Sequence, residues 1–558
     1  MVSKLLAALG REIKGLHEAA YLLGTFAILS QILALGRDKL LAYMFGASAP
    51  LDVYYGAFRI PDVLFVSIGS LVSASVLLPY FIDRFNLGAR EGKEFLQSIF
   101  SVFLITMISV CVVLFFLLPV LLRILIPGLA DGSHFNDLLV SSRIMLLSPF
   151  LLGLSNLFSS ITQMRQRFLV FAASPVVYNI GIILGILFFY PTLGIPGLAW
   201  GVALGALLHV GIQLPFMASQ RLLPRLSLSV NWSGVRSVIA TSFPRTLTLS
   251  ANQLASFFLV SLASLMAPGS IAVFTLAFNL QSVPLTVIGA SYSSAVFPAL
   301  SKHFVDGNRA AFLEKVVSAS RHIIFWVTPM TVLFIVLRAQ IVRVVYGAGK
   351  FDWSDTRLTA AVLAVFIVSA VGQSMVTLFV RAYYAEGKTS RPLIINITAA
   401  VAMVLLGYLL TLGFKYIPLF AFFWEELLKI SGQAGTTVLA LPLAFTFGIL
   451  LNTLFHWVMF EHDYPGYSKP VLATAYHSFA SSVIMGYAAF LGLRVFSFFP
   501  LEQVWGLFLQ GFCAGVLGII VGIMVLVMLQ NQEIAEVWRA LHHKIWKEKV
   551  IVPEQEAL

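Results

Sequence analysis

Apolar residues fall in long runs separated by short polar or Gly/Pro-rich stretches. The runs begin near residues 18, 51, 94, 137, 168, 196, 236, 270, 312, 356, 391, 437, 472 and 502. Each is long enough for the roughly 20 residues that a helix needs to cross a bilayer. The pattern predicts an all-α polytopic membrane protein of about fourteen transmembrane helices, with no soluble domain between them. The first run follows Lys4, Arg11 and Lys14, as a signal peptide would. It meets Arg37, Asp38 and Lys39 before any small-residue cleavage site, so it reads as a retained span.

The two halves of the pattern resemble each other. Ala57-Phe58 and Gly69 recur as Ala277-Phe278 and Gly289 at a spacing of 220 residues, and Pro175 with Asn179 recurs as Pro392 with Asn396 at 217. A shift of six spans preserves orientation, so the expectation is two parallel six-helix repeats forming N- and C-lobes around a central cavity. Two extra C-terminal helices lie outside the repeat. The implied organisation is an amphipathic N-terminus (1–17), an N-lobe (18–220), a C-lobe (221–460), the last two spans (472–530) and an amphipathic tail (531–558). In that tail Ile534, Val537, Trp538, Leu541, Ile545 and Trp546 share one helical face, which predicts a helix lying on the cytoplasmic membrane surface.

Composition and charge sharpen this picture. Of the 558 residues 59% are hydrophobic and 11% charged, which excludes an ordinary soluble enzyme. The net charge of +11 reads first as loop charge that fixes orientation rather than as a nucleic-acid footprint. With both termini cytoplasmic, 23 Lys and Arg fall in inner segments and 8 in outer ones, the asymmetry expected of an even number of spans. Cys111 and Cys513 lie within apolar runs and read as small packing residues. His209 and His456 read likewise as packed side chains.

Catalytic motifs are absent: there is no phosphate-binding Gly-Lys-Ser loop, paired-His helix or nucleophile elbow. The chemistry lies in charges inside spans, each costing about 2.5–3.5 kcal/mol at a helix centre unless a cavity or partner receives it. Gly36-Arg37-Asp38-Lys39 interrupts the first span, and Asp52, Arg59 and Asp62 lie in the second beside Pro61. One reading is an internal ion-pair network with Arg37 neutralised by Asp38 or Asp52. The other is a water-filled cavity whose arginines grip an anionic head group, since a guanidinium engages phosphate oxygens with two parallel hydrogen bonds. Arg245, beside Pro244, either adds a cation from the second half or snorkels to the cytoplasmic surface.

These residues also resemble a known family. Gly36-Arg37-Asp38, Phe45-Gly46-Ala47, Leu51-Asp52 and Ala57-Phe58-Arg59-Ile60-Pro61 are similar to the first two helices of the MurJ/MviN family of lipid II flippases. Phe243-Pro244-Arg245-Thr246-Leu247, Tyr346-Gly347 to Phe351 with Asp355-Thr356, and Arg381-Ala382-Tyr383-Tyr384-Ala385 with Thr389 and Pro392 fit it too. The resemblance implies a transporter of the bacterial inner membrane, with membrane lipids around it and a polyprenyl-pyrophosphate-linked sugar lipid as substrate. That lipid would be flipped to the outer leaflet by alternating access, without covalent catalysis, and the last two helices would form a groove for its tail. Carried over by position, Arg37 is a head-group arginine, Asp38 its neighbour, Asp52 the acidic residue opening the second helix and Arg59 a basic residue on it.

The chain also departs from the family. Gln31 stands where an arginine is common, Phe65 and Val66 where a basic pair is common, and Ser70 where a glutamate is expected. Asn279 aligns with another cavity arginine. The expected cavity is therefore less cationic, with Arg37, Arg59 and Arg245 binding the head group, Asp38 and Asp52 orienting or gating, and Gln31, Asn252 and Asn279 as polar cavity residues. A sodium site in the second lobe finds only neutral Asn252 and Asn396. No cofactor, metal or nucleic acid is expected, ion or membrane-potential coupling is left open, and the protein is expected to be monomeric. The alternatives are a flippase for another polyprenyl-pyrophosphate-linked oligosaccharide, a drug-type exporter, or a non-transporting membrane scaffold.

Overall fold

The computed structural model describes residues 16–130, 132–227, 229–500 and 503–545. It is helical from end to end. The first half runs α1 (Leu16–Phe45), α2 (Ala49–Ala57), α3 (Arg59–Ser67), α4 (Ala74–Leu87), α5 (Ala89–Leu125), α6 (Phe135–Met145), α7 (Leu147–Met164), α8 (Phe168–Leu184) and α9 (Ile195–Gly211). The second begins with α10 (Trp232–Ser264), α11 (Ser270–Pro284), α12 (Ala290–Val305), α13 (Arg309–Val336), α14 (Arg338–Tyr346), α15 (Trp353–Ile367) and α16 (Ala370–Ala385). It continues through α17 (Ser390–Tyr416), α18 (Pro418–Leu428), α19 (Ala440–Asp463), α20 (Ser468–Val495), α21 (Val504–Met528) and α22 (Gln532–Ile545). Among the described residues ten helices are long and apolar enough to cross a membrane, or eleven if α15 and α16, bent by 41°, count as one broken span.

The breaks in these helices follow the repeat. In the second expected span the helix stops at Ala57, resumes at Arg59 with Pro61 in its first turn, and gives way to a tight turn over Gly69–Val72. In the eighth, Pro284 leads into a wide π-turn over Leu285–Gly289. Proline lacks the amide that would continue the ladder, so both breaks lie where the sequence removes a donor. Gly69 and Gly289, which the spacing pairs, both stand in these irregular turns. The other paired position behaves alike, because Asn179 and Asn396 are both buried. Asn179 donates to its own helix at Pro175 O (3.1 Å), while Asn396 accepts from Asn452 (2.8 Å).

Two compact units divide the chain: Met1–Leu280 with Val345–Phe366 and Lys388–Asn452, and Gln281–Val344 with Ile367–Gly387 and Thr453–Leu558. The division cuts across α11, α15 and α19 instead of following residue 220, because each half of a long helix belongs with what it touches. In the first unit α8 and α9 approach through glycines: a Cβ at Gly181 would lie 2.4 Å from Gly205 Cα. Small residues permit this backbone contact where lipid supplies no hydrophobic drive. Phe274, Phe278, Phe366 and Phe445 form an edge-to-face cluster with centroids 5.0–5.7 Å apart across their contacts. His209 bonds Ser155 Oγ (2.6 Å), as a packed histidine should.

In the second unit Phe379, Phe460, Tyr464 and Tyr467 build the core, and His456 stacks on Phe379. The outer faces of α20 and α21 carry exposed large apolar side chains such as Phe479, Tyr487, Phe512 and Met528, as lipid-facing helices do. The tail helix α22 is docked by ions as well as by apolar contact. Glu533, 2% exposed, pairs with Arg321 Nε at 2.6 Å and accepts from Thr474 at 2.7 Å, while Trp538 is exposed. The side chains of Leu541 and Ile545, and all of Trp546, lie outside the described residues.

Candidate functional site

The candidate residues gather where α1 turns into α2. Gly46 ends α1 with a φ of +63° and lets the chain reverse. The turn is pinned from the second half of the chain: Ala47 N donates to Asp355 Oδ2 (3.0 Å), and Lys350 N donates to Tyr43 O (2.9 Å). Asp52, in the first turn of α2, reaches the start of α11, accepting from Gly269 N (2.6 Å) and Ala272 N (2.7 Å). An N-terminal turn leaves such amides without partners, and a carboxylate there also meets the favourable end of the helix dipole. Among the described residues Asp52 bonds no arginine; its two oxygens cap a helix start in another part of the chain.

Asp38 is the arginine's partner. Arg37 sends Nε and Nη2 to Asp38 Oδ1 (3.0 and 2.8 Å) and Nη1 to Asn179 Oδ1 (3.2 Å). Asp38 spends its second oxygen on Asn279 Nδ2 at 2.8 Å. Asn179 is steadied by Pro175 O and by Ser30 Oγ at 3.3 Å. The cluster joins α1, α8 and α11 into one network with one positive and one negative charge. Asp38 is buried and Arg37 nearly so: side-chain exposure is 2% for Asp38 and 19% for Arg37.

Arg59 opens α3 immediately after the break at Phe58, and its Nη2 donates to Thr275 Oγ1 at 3.1 Å. Its Nε is buried without a hydrogen-bond partner among the described residues. A buried donor left open costs about 1–3 kcal/mol, more when charged, so this guanidinium is held ready for an acceptor. Thr275 and Asn279 lie four apart on α11, so one face of that helix receives Arg59 and holds Asp38. Gln31, two turns before Asp38 on α1, is half-buried. The side chains of Arg245 and Asn252 lie outside the described residues.

The sequence reading missed Asn179 and Thr275. Asn179 carried a signal, as one of the paired repeat positions; Thr275, a small polar residue in an apolar run, carried none. Among the described residues no group of three His, Cys, Asp or Glu could hold a metal. Chemically the arrangement offers a pre-oriented guanidinium and a second one whose Nε has no partner among the described residues, groups suited to binding an anion.

The model of the family described as lipid II flippase MurJ matches residues 41–513. A lipid II flippase MurJ of Burkholderia cenocepacia is 26% identical over 459 residues, covering 79% of this chain and 82% of the relative. A probable lipid II flippase MurJ of Thermotoga maritima is 25% identical over 473 residues, covering 79% and 95%. Among solved structures, a lipid II flippase MurJ in an inward closed conformation matches with a TM-score of 0.73 at 20% identity, covering 92% of this chain and all of that one. An inward-facing multidrug MATE transporter matches with a TM-score of 0.61 at 16% identity, covering 78% and 95%.

Proposed function

The chain belongs to the MurJ family of lipid II flippases, and from that premise we propose that it moves a lipid-linked peptidoglycan precursor from the inner to the outer leaflet of the bacterial inner membrane. It does so by alternating access of two six-helix lobes, residues 18–220 and 221–460, in a layout of fourteen spans with both termini cytoplasmic. The two last spans hold the lipid tail, and α22 lies on the cytoplasmic surface. The observation that carries the reading is the Arg37–Asp38–Asn279–Asn179 network, which fixes a guanidinium among α1, α8 and α11.

Within this reading Arg37 and Arg59 bind the pyrophosphate, with Arg245 as the second lobe's cation. Asp38 positions Arg37. Asp52 and Asp355 hold the α1–α2 turn against α11 and α15 in the state seen here, and their bonds must break for those segments to part. Bond breaking and making in the substrate is not required, so the protein acts as a transporter rather than an enzyme, and it works as a monomer. A head group other than that of lipid II is favoured by one observation: Asn279 keeps the bond to Asp38 without the arginine's charge.

The deciding experiment is flipping by the purified full-length chain in liposomes, comparing lipid II with other polyprenyl-pyrophosphate-linked sugars. Faster transport of lipid II supports the reading. Equal or better transport of an unrelated oligosaccharide lipid moves the assignment to that substrate, and transport of neither supports the scaffold alternative.

A further inference from the structure

One pocket in the first unit is unlike the arginine cluster. It lies between α3, α7 and α8, and its wall includes Phe58, Asp62, Phe65, Met145, Pro149 and Tyr178. Its only ionisable groups are a carboxylate and a phenol, so the polarity is opposite to that of the anion site beside it. Among the described residues no cationic nitrogen lies within 4.0 Å of the Asp62 carboxylate, and no side chain donates a hydrogen bond to it. Arg59, one turn earlier on the same helix, acts on the Asp62 carboxylate only through space, without an ion-pair contact, while its Nη2 donates to Thr275. Tyr178 and Ser148 both line the wall.

A carboxylate in a span is costly unless something compensates for it. The rest of the lining is three rings, the Met145 thioether, Pro61, Pro149, Leu152 and the Ser148 hydroxyl, and aromatic rings attract a cation through their negative faces. The space, open solvent at its mouth included, is about 280 Å3, which leaves room only for a compact ligand. Phe65 stands where a basic residue was expected from the family pattern, and an arginine there would fill and neutralise this pocket.

We propose that this pocket is a binding site for a compact ammonium-type cation, with Asp62 as the charge partner and Phe58, Phe65 and Tyr178 as the ring walls. The cation has two chemical sources: an amine carried on the transported head group, or a free cation exchanged during transport. Only the choice between them rests on the transport reading above; the binding itself does not.

The test begins with thermal stability and isothermal calorimetry of the full-length chain in nanodiscs, titrated with methylammonium, tetramethylammonium and Na+. The expected result is saturable binding of the two ammonium probes, lost in Asp62→Asn and weakened about tenfold in Phe65→Leu, which keeps the charge and removes one ring. Phe65→Leu also guards against an Asp62→Asn variant that fails to fold. No ammonium binding by the wild type, or binding that both variants retain, overturns the proposal. A flipping assay then separates the sources. If the head-group amine is the ligand, Asp62→Asn slows transport of the free-amine lipid and not of its N-acetylated form. If a free cation is the ligand, both lipids slow together and the rate follows the ammonium concentration in the bath. Ammonium binding without any flipping would leave this site standing and remove the transport reading.

Discussion

The side chain of Asn279 donates a 2.8 Å hydrogen bond to the same Asp38 carboxylate that holds Arg37. The amide, at a position where the family resemblance leads one to expect a cavity arginine, satisfies Asp38's second oxygen while contributing no charge. Asn279→Ala should therefore leave a buried acceptor open, at about 1–3 kcal/mol. It should also loosen Arg37 and slow flipping. Asn279→Arg should restore a cation and raise affinity for pyrophosphate-bearing lipid, read as a lower KM. An unchanged KM in Asn279→Arg would show that this position does not face the substrate.

Arg37 itself tests the anion site. Removing it leaves Asp38 buried and uncompensated, a loss of about 3–5 kcal/mol in comparable pairs, so Arg37→Ala alone confuses folding with function. The double change Arg37→Ala with Asp38→Asn removes both charges and should insert and fold, yet fail to flip. Arg37→Lys should recover only part of the activity, because an ammonium lacks the planar two-donor fork. Wild-type flipping by the double variant would rule out head-group recognition here.

The all-helical membrane fold and the family were legible from the sequence because hydrophobic runs and Gly/Pro punctuation are local signals. The 220-residue spacing even located the irregular turns at Gly69 and Gly289. Partner choice was not legible. Both Asp38 and Asp52 were within reach of Arg37 on paper, and only the fold shows that Asp52 is occupied by the amides of Gly269 and Ala272. The Asn179 and Thr275 contacts to arginines span 142 and 216 residues, and no run of apolar residues says which helices will meet. The compact units likewise cut helices at Leu280 and Phe366, since a run of apolar residues says nothing about which half packs where.

The Asp52 cap predicts a conformational effect. Asp52→Asn keeps one acceptor oxygen and loses the charge, which should weaken the α2–α11 contact by about 1 kcal/mol, typical of an N-cap change. Gly269→Ala attacks the same contact from the other side. Gly269 has φ +90°, and a Cβ there would lie 2.1 Å from Ala47 O, so the backbone must move. Both variants should increase labelling of a cysteine placed at Thr275 by a membrane-impermeant thiol reagent added from outside. Labelling at the wild-type rate would mean that the contact does not hold the outer side closed.

The docking of α22 predicts a pH dependence. Burial alone would raise the pKa of Glu533, but hydrogen bonds from Thr474 and Arg321, and the charge of Arg321, hold it below the ordinary carboxylate value. A carboxyl group whose folded pKa is depressed contributes stability that is complete above its unfolded pKa, about 4.3 for glutamate, and is lost as pH falls through the folded value. The helix should stay docked from neutral pH down to about pH 5 and release only below the ordinary carboxylate range. His322 Nε2 lies 3.4 Å from Glu536 and adds a second polar contact to the dock. Limited proteolysis and Trp538 fluorescence across pH 8 to 3 would follow the release. Glu533→Gln should release α22 at neutral pH, and a Gln variant that stays docked would show that apolar contact, not the Arg321 pair, holds the tail.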